Sequence, residues 1–193
     1  MRPNIAIING HPYAKSYCTA LSEAYKKGAI ASGSEVRSIH IGSLSFEPNL
    51  KYGYHQRLEL EEDLLAAQET IRWADHLVFV YPIWWGTVPA ILKGFIDRVF
   101  LPGFAYRYRP NSMFWDKLLS GKSARLIVTM DTPSWYYRWV YKQAGHHVMR
   151  RNTLQFCGVN PVKMTEISPV KSSTDKQREK WLADVEKLGL KYS

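Results

Sequence analysis

The stretch Val80-Tyr81-Pro82-Ile83-Trp84-Trp85-Gly86-Thr87-Val88-Pro89-Ala90 constrains the fold more tightly than any other part of the chain. It leaves a continuous apolar run, His76-Leu77-Val78-Phe79-Val80-Tyr81, of the length and composition of a buried strand. It enters a pattern from Ala90 to Phe100 in which Ile91, Leu92, Phe95, Ile96, Val99 and Phe100 form a wide apolar stripe, the mark of a helix packed on a core. Open α/β sheets bind ligands beyond the carboxyl ends of their strands. A strand-end loop with two adjacent tryptophans therefore suits a flat ligand, with backbone groups at the polar edge of its ring and side chains over its face. The helix that follows aims its positive end at the same place.

The rest of the chain repeats this alternation. Asn4 to Gly10 is short, apolar and closed by glycine, as a central strand is. A helical pattern runs from about Tyr17 to Ser32, and Val36 to Ile41 alternates like a second strand. Residues 42–59 read as an irregular surface excursion, followed by a helix from Leu60 to Ala74 with acidic residues in its first turn. Pro102-Gly103 is expected to end the helix that begins at Ala90, and residues 104–117 read as a second irregular stretch. Ser123 to Met130 is a further strand. Thr132 and Pro133 are expected to cap a helix over about 135–144 that is aromatic almost all round. Such a helix implies contact with a ligand or a second chain, or dense local packing. Residues 147–157 read as helical and stop at Gly158, and Val162 to Ile167 alternates as an outer strand. Thr174 and Gln177 form a capping box for a last helix that Gly189 is expected to close. The prediction is one domain over 1–193, a three-layer α/β sandwich with a five-stranded parallel sheet in the order 2-1-3-4-5.

Composition narrows the function classes. At 193 residues, 46% of them hydrophobic, the chain can bury one core. No apolar run approaches the roughly 18 residues of a membrane span, and the start lacks the pattern of a signal peptide. The expectation is a soluble cytoplasmic protein with no membrane insertion. Cys18 and Cys157 lack metal-ligand spacing, so both read as small packing residues. No metal is expected. The net charge of +9 favours anionic partners such as nucleotide phosphates. Its basic residues are dispersed, which argues against nucleic acid as the partner.

Three loops would meet at the carboxyl edge of the sheet. The first, 10–18, has neither a dinucleotide glycine fingerprint nor a Walker lysine. It does carry His11, then Ser16, Tyr17 and Cys18 at a helix start, where exposed amides, a hydroxyl and an imidazole can hold a phosphate. The plainer alternative is that Ser16 caps the helix and His11 only braces the loop. The second loop supplies Pro82, Ile83, Trp84, Trp85 and Gly86. The third supplies Thr129, Met130, Asp131 and Thr132 to the polar edge of the same ring, unless Asp131 and Thr132 merely cap the next helix. Together the loops describe a phosphate at one end and a planar ring at the other.

Residues Pro82 to Phe100, continued by Gly103-Phe104-Ala105-Tyr106, resemble the signature of the flavodoxin-like NAD(P)H:quinone reductases, the DT-diaphorase family. His11-Pro12 with Ser16-Tyr17-Cys18 resembles that family's flavin phosphate loop, and Leu154-Gln155-Phe156-Cys157-Gly158 a later segment of it. The resemblance implies a flavodoxin-like fold and a noncovalent FMN, or alternatively FAD. NAD(P)H would reduce the flavin and leave, and a quinone or related aromatic acceptor would then take two electrons, in a ping-pong sequence. It implies that His11, Ser16, Tyr17 and Cys18 hold phosphate. Pro82 to Gly86 would flank the isoalloxazine, with Thr129 to Thr132 facing its other polar edge. It also implies a homodimer, which would account for the aromatic helix. The family commonly has Thr-Thr-Gly-Gly after the fourth strand, then a catalytic tyrosine and histidine. Here Thr129-Met130-Asp131-Thr132-Pro133 stands in that place, Tyr137 matches the tyrosine, and His146 is the histidine close to the expected position near Gln143. Two other classes share the fold: ancillary regulatory subunits of potassium-efflux systems, and flavodoxin-like one-electron carriers.

Overall fold

In the computed structural model, which describes residues 2–53, 55–56 and 58–192, strands β1 (Ile5–Asn9) and β3 (His76–Pro82) are buried along their whole length. Strands buried on both faces read as unbroken apolar runs, because no position faces water. β2 (Val36–His40) pairs with β1 from Ile5↔Val36 to Asn9↔His40 and forms an edge, and its pattern correspondingly alternates. β6 (Ser123–Thr129) joins β3, and β7 (Val162–Ile167) joins β6. All four pairings are parallel, in the order β2-β1-β3-β6-β7. Counted over the parallel strands alone, this is the expected order 2-1-3-4-5.

Alternation sorts the strand residues onto two cores. Ala6, Ile8, Leu77, Phe79, Leu126 and Val128 meet α2 (Glu62–Trp73) and α3 (Ala90–Val99). Ile5, Ile7, Val78, Val80 and Ile127 meet α1 (Tyr17–Ala31) and α6 (Asp175–Lys191). The last two helices cross at glycine notches. A Cβ on Gly28 would lie 1.9 Å from the Glu186 carbonyl oxygen, and one on Gly189 would lie 2.2 Å from that of Tyr25. Gly189 therefore sits inside α6 for close approach and does not close it; the C-cap is Tyr192, in the left-handed region at φ +37°. The expected capping box is present, with the Thr174 hydroxyl accepting from the Gln177 amide and Gln177 Oε1 from the Thr174 amide. Arg98, buried on α3, anchors the 42–59 excursion through Glu61 at 2.8 Å and the Glu59 carbonyl at 2.8 Å.

Four expectations are corrected. Residues 104–117 contain an antiparallel ribbon, β4 (Tyr106–Tyr108) with β5 (Trp115–Lys117). Its strands are too short for an alternation to register, and stacking of Trp115 on Phe156 at 4.4 Å holds it down. Helix α3 stops at Val99, before Pro102-Gly103. The aromatic helix starts with Pro133 at the cap and runs only through Ser134–Trp139 as α4. Thr132 does not cap it; its carbonyl accepts from the Ser168 hydroxyl at 2.7 Å. Lys142 and Gln143, at φ +54° and +53°, then break the helical path. The chain resumes as α5 (Ala144–His147) and a π-helix, Val148–Gln155, so helix begins three residues earlier than the 147–157 pattern suggested. Gly158, at φ +101°, follows it as expected. Both cysteines are free and buried. Among the described residues no helix is long and apolar enough to cross a membrane, and no cluster of His, Cys, Asp or Glu is placed to hold a metal.

Candidate active site

The parallel ladder brings three strand ends to one edge and carries their loops into contact. The Gly10 amide donates to Val80 O at 2.8 Å, Ile83 to Thr129 O at 2.8 Å, and Met130 to Ile167 O at 3.1 Å. These bonds extend the sheet past its strands and line up the loops over a cleft of about 180 Å³. His11, Tyr17 and Cys18 line it from the first loop, Pro82, Ile83 and Trp84 from the second, and Thr129, Met130 and Asp131 from the third. Ser16, Trp85, Gly86, Thr132, Tyr137 and His146 do not line it, and Val170, which carries no signal in the sequence, completes its wall.

At the first loop, Asn9 acts as a brace. Its Oδ1 accepts from the His11 amide at 3.0 Å, and its Nδ2 donates to Thr19 Oγ1 at 2.9 Å. His11 Nδ1 accepts from the Tyr13 amide at 3.0 Å, which puts the proton of the neutral ring on Nε2. Burial, with His40 nearby, holds the His11 pKa below the usual histidine range. Ser16 is the N-cap of α1, its hydroxyl accepting from the Thr19 amide at 3.2 Å. The amides of Tyr17 and Cys18, in the first turn, lie ahead of the intrahelical acceptors and are directed past the helix end. His40 was not anticipated. It lies opposite Asn9 in the β1–β2 register, and its Nε2 is 3.4 Å from Thr19 Oγ1. Its buried Nδ1 has no partner among the described residues. A polar residue ending an edge strand beside the first loop is the signal that could have found it. This end of the cleft thus offers N–H donors in excess of local acceptors, as an anion requires.

The second loop is a two-residue turn closed by Trp84 N to Thr87 O at 2.9 Å and Thr87 N to Trp84 O at 3.0 Å. Its central residues, Trp85 and Gly86, have φ of +50° and +76°, the signs a type I′ turn demands. Trp84 faces the cleft and packs edge-on against His11, with centroids 5.3 Å apart. Trp85 is fully exposed, and its indole does not line the cleft. In the third loop, Thr129 Oγ1 is 3.4 Å from Cys18 Sγ. Burial pushes that thiol up to about 11, so it stays protonated and forms part of the floor. Asp131 Oδ1 accepts from the Lys171 amide at 2.7 Å, which ties the loop to the segment before α6 and leaves its carboxylate at the rim. Asp131 caps no helix.

Tyr137 and His146 lie behind the second loop, outside the lining of this cleft. Both are buried and pack edge to face at 4.9 Å. The Tyr137 hydroxyl donates to Gly86 O at 3.0 Å and accepts from the Gly145 amide at 3.0 Å. His146 Nε2 is 3.0 Å from Glu166 Oε1. That hydrogen bond is the main reason the Glu166 carboxyl is held below the usual carboxylate range.

The sequence and the fold have parallels among known proteins. Residues 3–188 match the family described as Flavodoxin-like fold. Human ribosyldihydronicotinamide dehydrogenase [quinone] is 30% identical over 188 residues, covering 80% of this chain and 76% of the human one. Among solved structures, the NAD(P)H:quinone oxidoreductase of Methanothermobacter marburgensis superposes with a TM-score of 0.83 at 26% identity, covering 100% of this chain and 98% of that one. A Streptococcus mutans UA159 protein superposes at 0.85 and 31% identity, covering 97% and 99%. The chain is a member of the flavodoxin-like NAD(P)H:quinone reductase family.

Proposed function

We propose that the protein is an FMN-dependent NAD(P)H oxidoreductase that reduces quinones or related aromatic acceptors by two electrons. The observation that carries this reading is the convergence of the three strand-end loops on one cleft, where the donors of the first loop lie beside Trp84 of the second and the strand-end backbone groups of the third. A flavin held there by the first turn of α1, His11 and Trp84 would supply two-electron redox chemistry between NAD(P)H and the acceptor, in a ping-pong sequence. The chain supplies position and electrostatics. His11 presents Nε2–H, and the first turn of α1 presents amides, to a phosphate. Trp84 would cover the ring, while the Cys18–Thr129 contact forms a buried floor. Asp131 holds a negative charge at the rim. Tyr137 and His146 act as positioning residues, since the Tyr137 hydroxyl is engaged by Gly86 and Gly145. FMN is favoured over FAD because the donor set serves one phosphate and no dedicated adenylate motif follows it. The exposed side chains of Trp85, Trp135 and Trp139 are read as contacts with a second copy in a homodimer. The two buried free thiols suit the reducing cytoplasm.

The test is initial-rate kinetics of the FMN-loaded chain with NADH or NADPH and a soluble benzoquinone. The reading predicts turnover with parallel double-reciprocal lines. Flavin that is bound but not reduced by either nucleotide would contradict it and favour an electron carrier.

A further inference from the structure

Residues 134–147 form a strap that is not self-supporting. Helix α4 has only six residues, too few to hold a helix by its own hydrogen bonds. Two consecutive non-glycine residues, Lys142 and Gln143, occupy the left-handed region, a conformation that persists only when the surroundings impose it. One carboxylate gathers both ends of the strap. Glu166, on β7, accepts from Gln143 Nε2 at 3.3 Å and from His146 Nε2 at 3.0 Å. It also accepts from the hydroxyl of Ser134, the first residue of α4. With the His146 proton on Nε2, the buried Nδ1 is an unprotonated acceptor, which is cheaper to leave unpaired than an N–H.

The strap in turn holds the second loop. The Gly145 amide reaches both Gly86 O, at 3.1 Å, and the Tyr137 hydroxyl, at 3.0 Å. That hydroxyl donates back to Gly86 O. The approach is so close that a Cβ on Gly145 would lie 2.8 Å from Gly86 O and 2.8 Å from the Tyr137 oxygen. The turn so held is itself strained, with Trp85 at φ +50°, and it carries Trp84 into the cleft. An unbroken series of contacts therefore runs from Glu166 through His146 and Gly145 to Gly86 and Trp84.

We propose that Glu166 is a positioning residue of the flavin site, fixing the Trp84–Thr87 turn through the 134–147 strap although it does not itself line the cleft. The flavin part rests on the function proposed above; the coupling between Glu166 and the turn does not. The experiment measures amide hydrogen exchange in the full-length chain, with and without FMN, together with FMN affinity by fluorescence quenching. Glu166→Ala should speed exchange at Gly145, Trp84 and Thr87 by about tenfold or more, and weaken FMN by about fivefold or more. Glu166→Gln keeps an acceptor oxygen for His146 and should restore both quantities most of the way. If Glu166→Ala does not fold, His146→Phe cuts the same link while Ser134 and Gln143 keep theirs, and should show the same pattern in weaker form. Faster exchange within 134–147 with Trp84 and Thr87 unchanged would overturn the proposal. A wild-type chain that binds no FMN would instead sink the proposed function, and the exchange data would still decide the coupling.

Discussion

Replacing Tyr137 with phenylalanine removes one oxygen from a buried site where its closest partners are backbone groups of Gly86 and Gly145, with the His146 amide beside them. The hydroxyl donates to Gly86 O and accepts from the Gly145 amide, each at 3.0 Å. The Gly145 amide also reaches Gly86 O at 3.1 Å, so neither backbone group loses its last partner in the variant. The loss is thus that of one to two ordinary hydrogen bonds, about 1–2 kcal/mol, without the further 1–3 kcal/mol of an orphaned buried group. For a chain of this size that is a fall in Tm of roughly 2–8 °C. Urea denaturation of the two proteins measures it. A change under about 0.3 kcal/mol would show that the hydroxyl is not engaged, and one above about 3 kcal/mol that a polar group has been stranded. Stopped-flow reduction of the FMN-loaded proteins checks the functional side. The rate is expected to change only a few-fold, through the turn. A fall of about a hundredfold or more is the size of a lost general acid or base, and would return Tyr137 to the chemistry itself.

Three further outcomes are expected. Gly28→Ala should cost about 3 kcal/mol in urea denaturation, because its Cβ would meet the backbone of α6 at 1.9 Å and neither helix can yield locally; an unchanged midpoint would refute the notch. His76 is buried, and burial together with the Arg125 and Lys163 charges lowers its pKa to about 4. The unfolded chain then takes up the proton first, so stability falls as the pH drops below the unfolded value near 6.5 and the loss is complete below the folded one. Between about pH 7 and about pH 5 this amounts to about 2 kcal/mol, and His76→Gln should flatten that slope; an equal slope in the variant would exonerate His76. Asp131→Asn should raise the midpoint potential of bound flavin, because the carboxylate at the rim opposes added negative charge on the ring; an unchanged redox titration would place Asp131 away from it.

What could be read from the residues alone follows the strength of local signals. The β3–loop–α3 unit was legible because a seven-residue strand buried throughout and a helix with a broad apolar stripe each leave a pattern longer than chance. So were the first-loop residues, where Ser16 and the start of α1 announce a cap. The β4–β5 ribbon left no such trace, since three residues do not establish an alternation. The break at Lys142 and Gln143 was hidden for a different reason. Neither is glycine, and the left-handed turn there is imposed by contacts from β7 that local sequence does not encode. Tyr137 and His146 were suggested only by the family resemblance, and their burial behind the turn left no trace in the local sequence. Glu166 read only as a polar position on an outer strand, because its partners lie 20 to 32 residues away along the chain.

The most direct test of the central claim is the visible absorption spectrum of the purified chain after mixing with FMN and removing the unbound flavin by gel filtration. The account predicts that an oxidised-flavin double band stays with the protein, that it bleaches anaerobically on adding NADH or NADPH, and that His11→Ala and Trp84→Ala each weaken its retention. A colourless protein that retains neither FMN nor FAD would contradict the three-loop site, and with it the enzyme built around it.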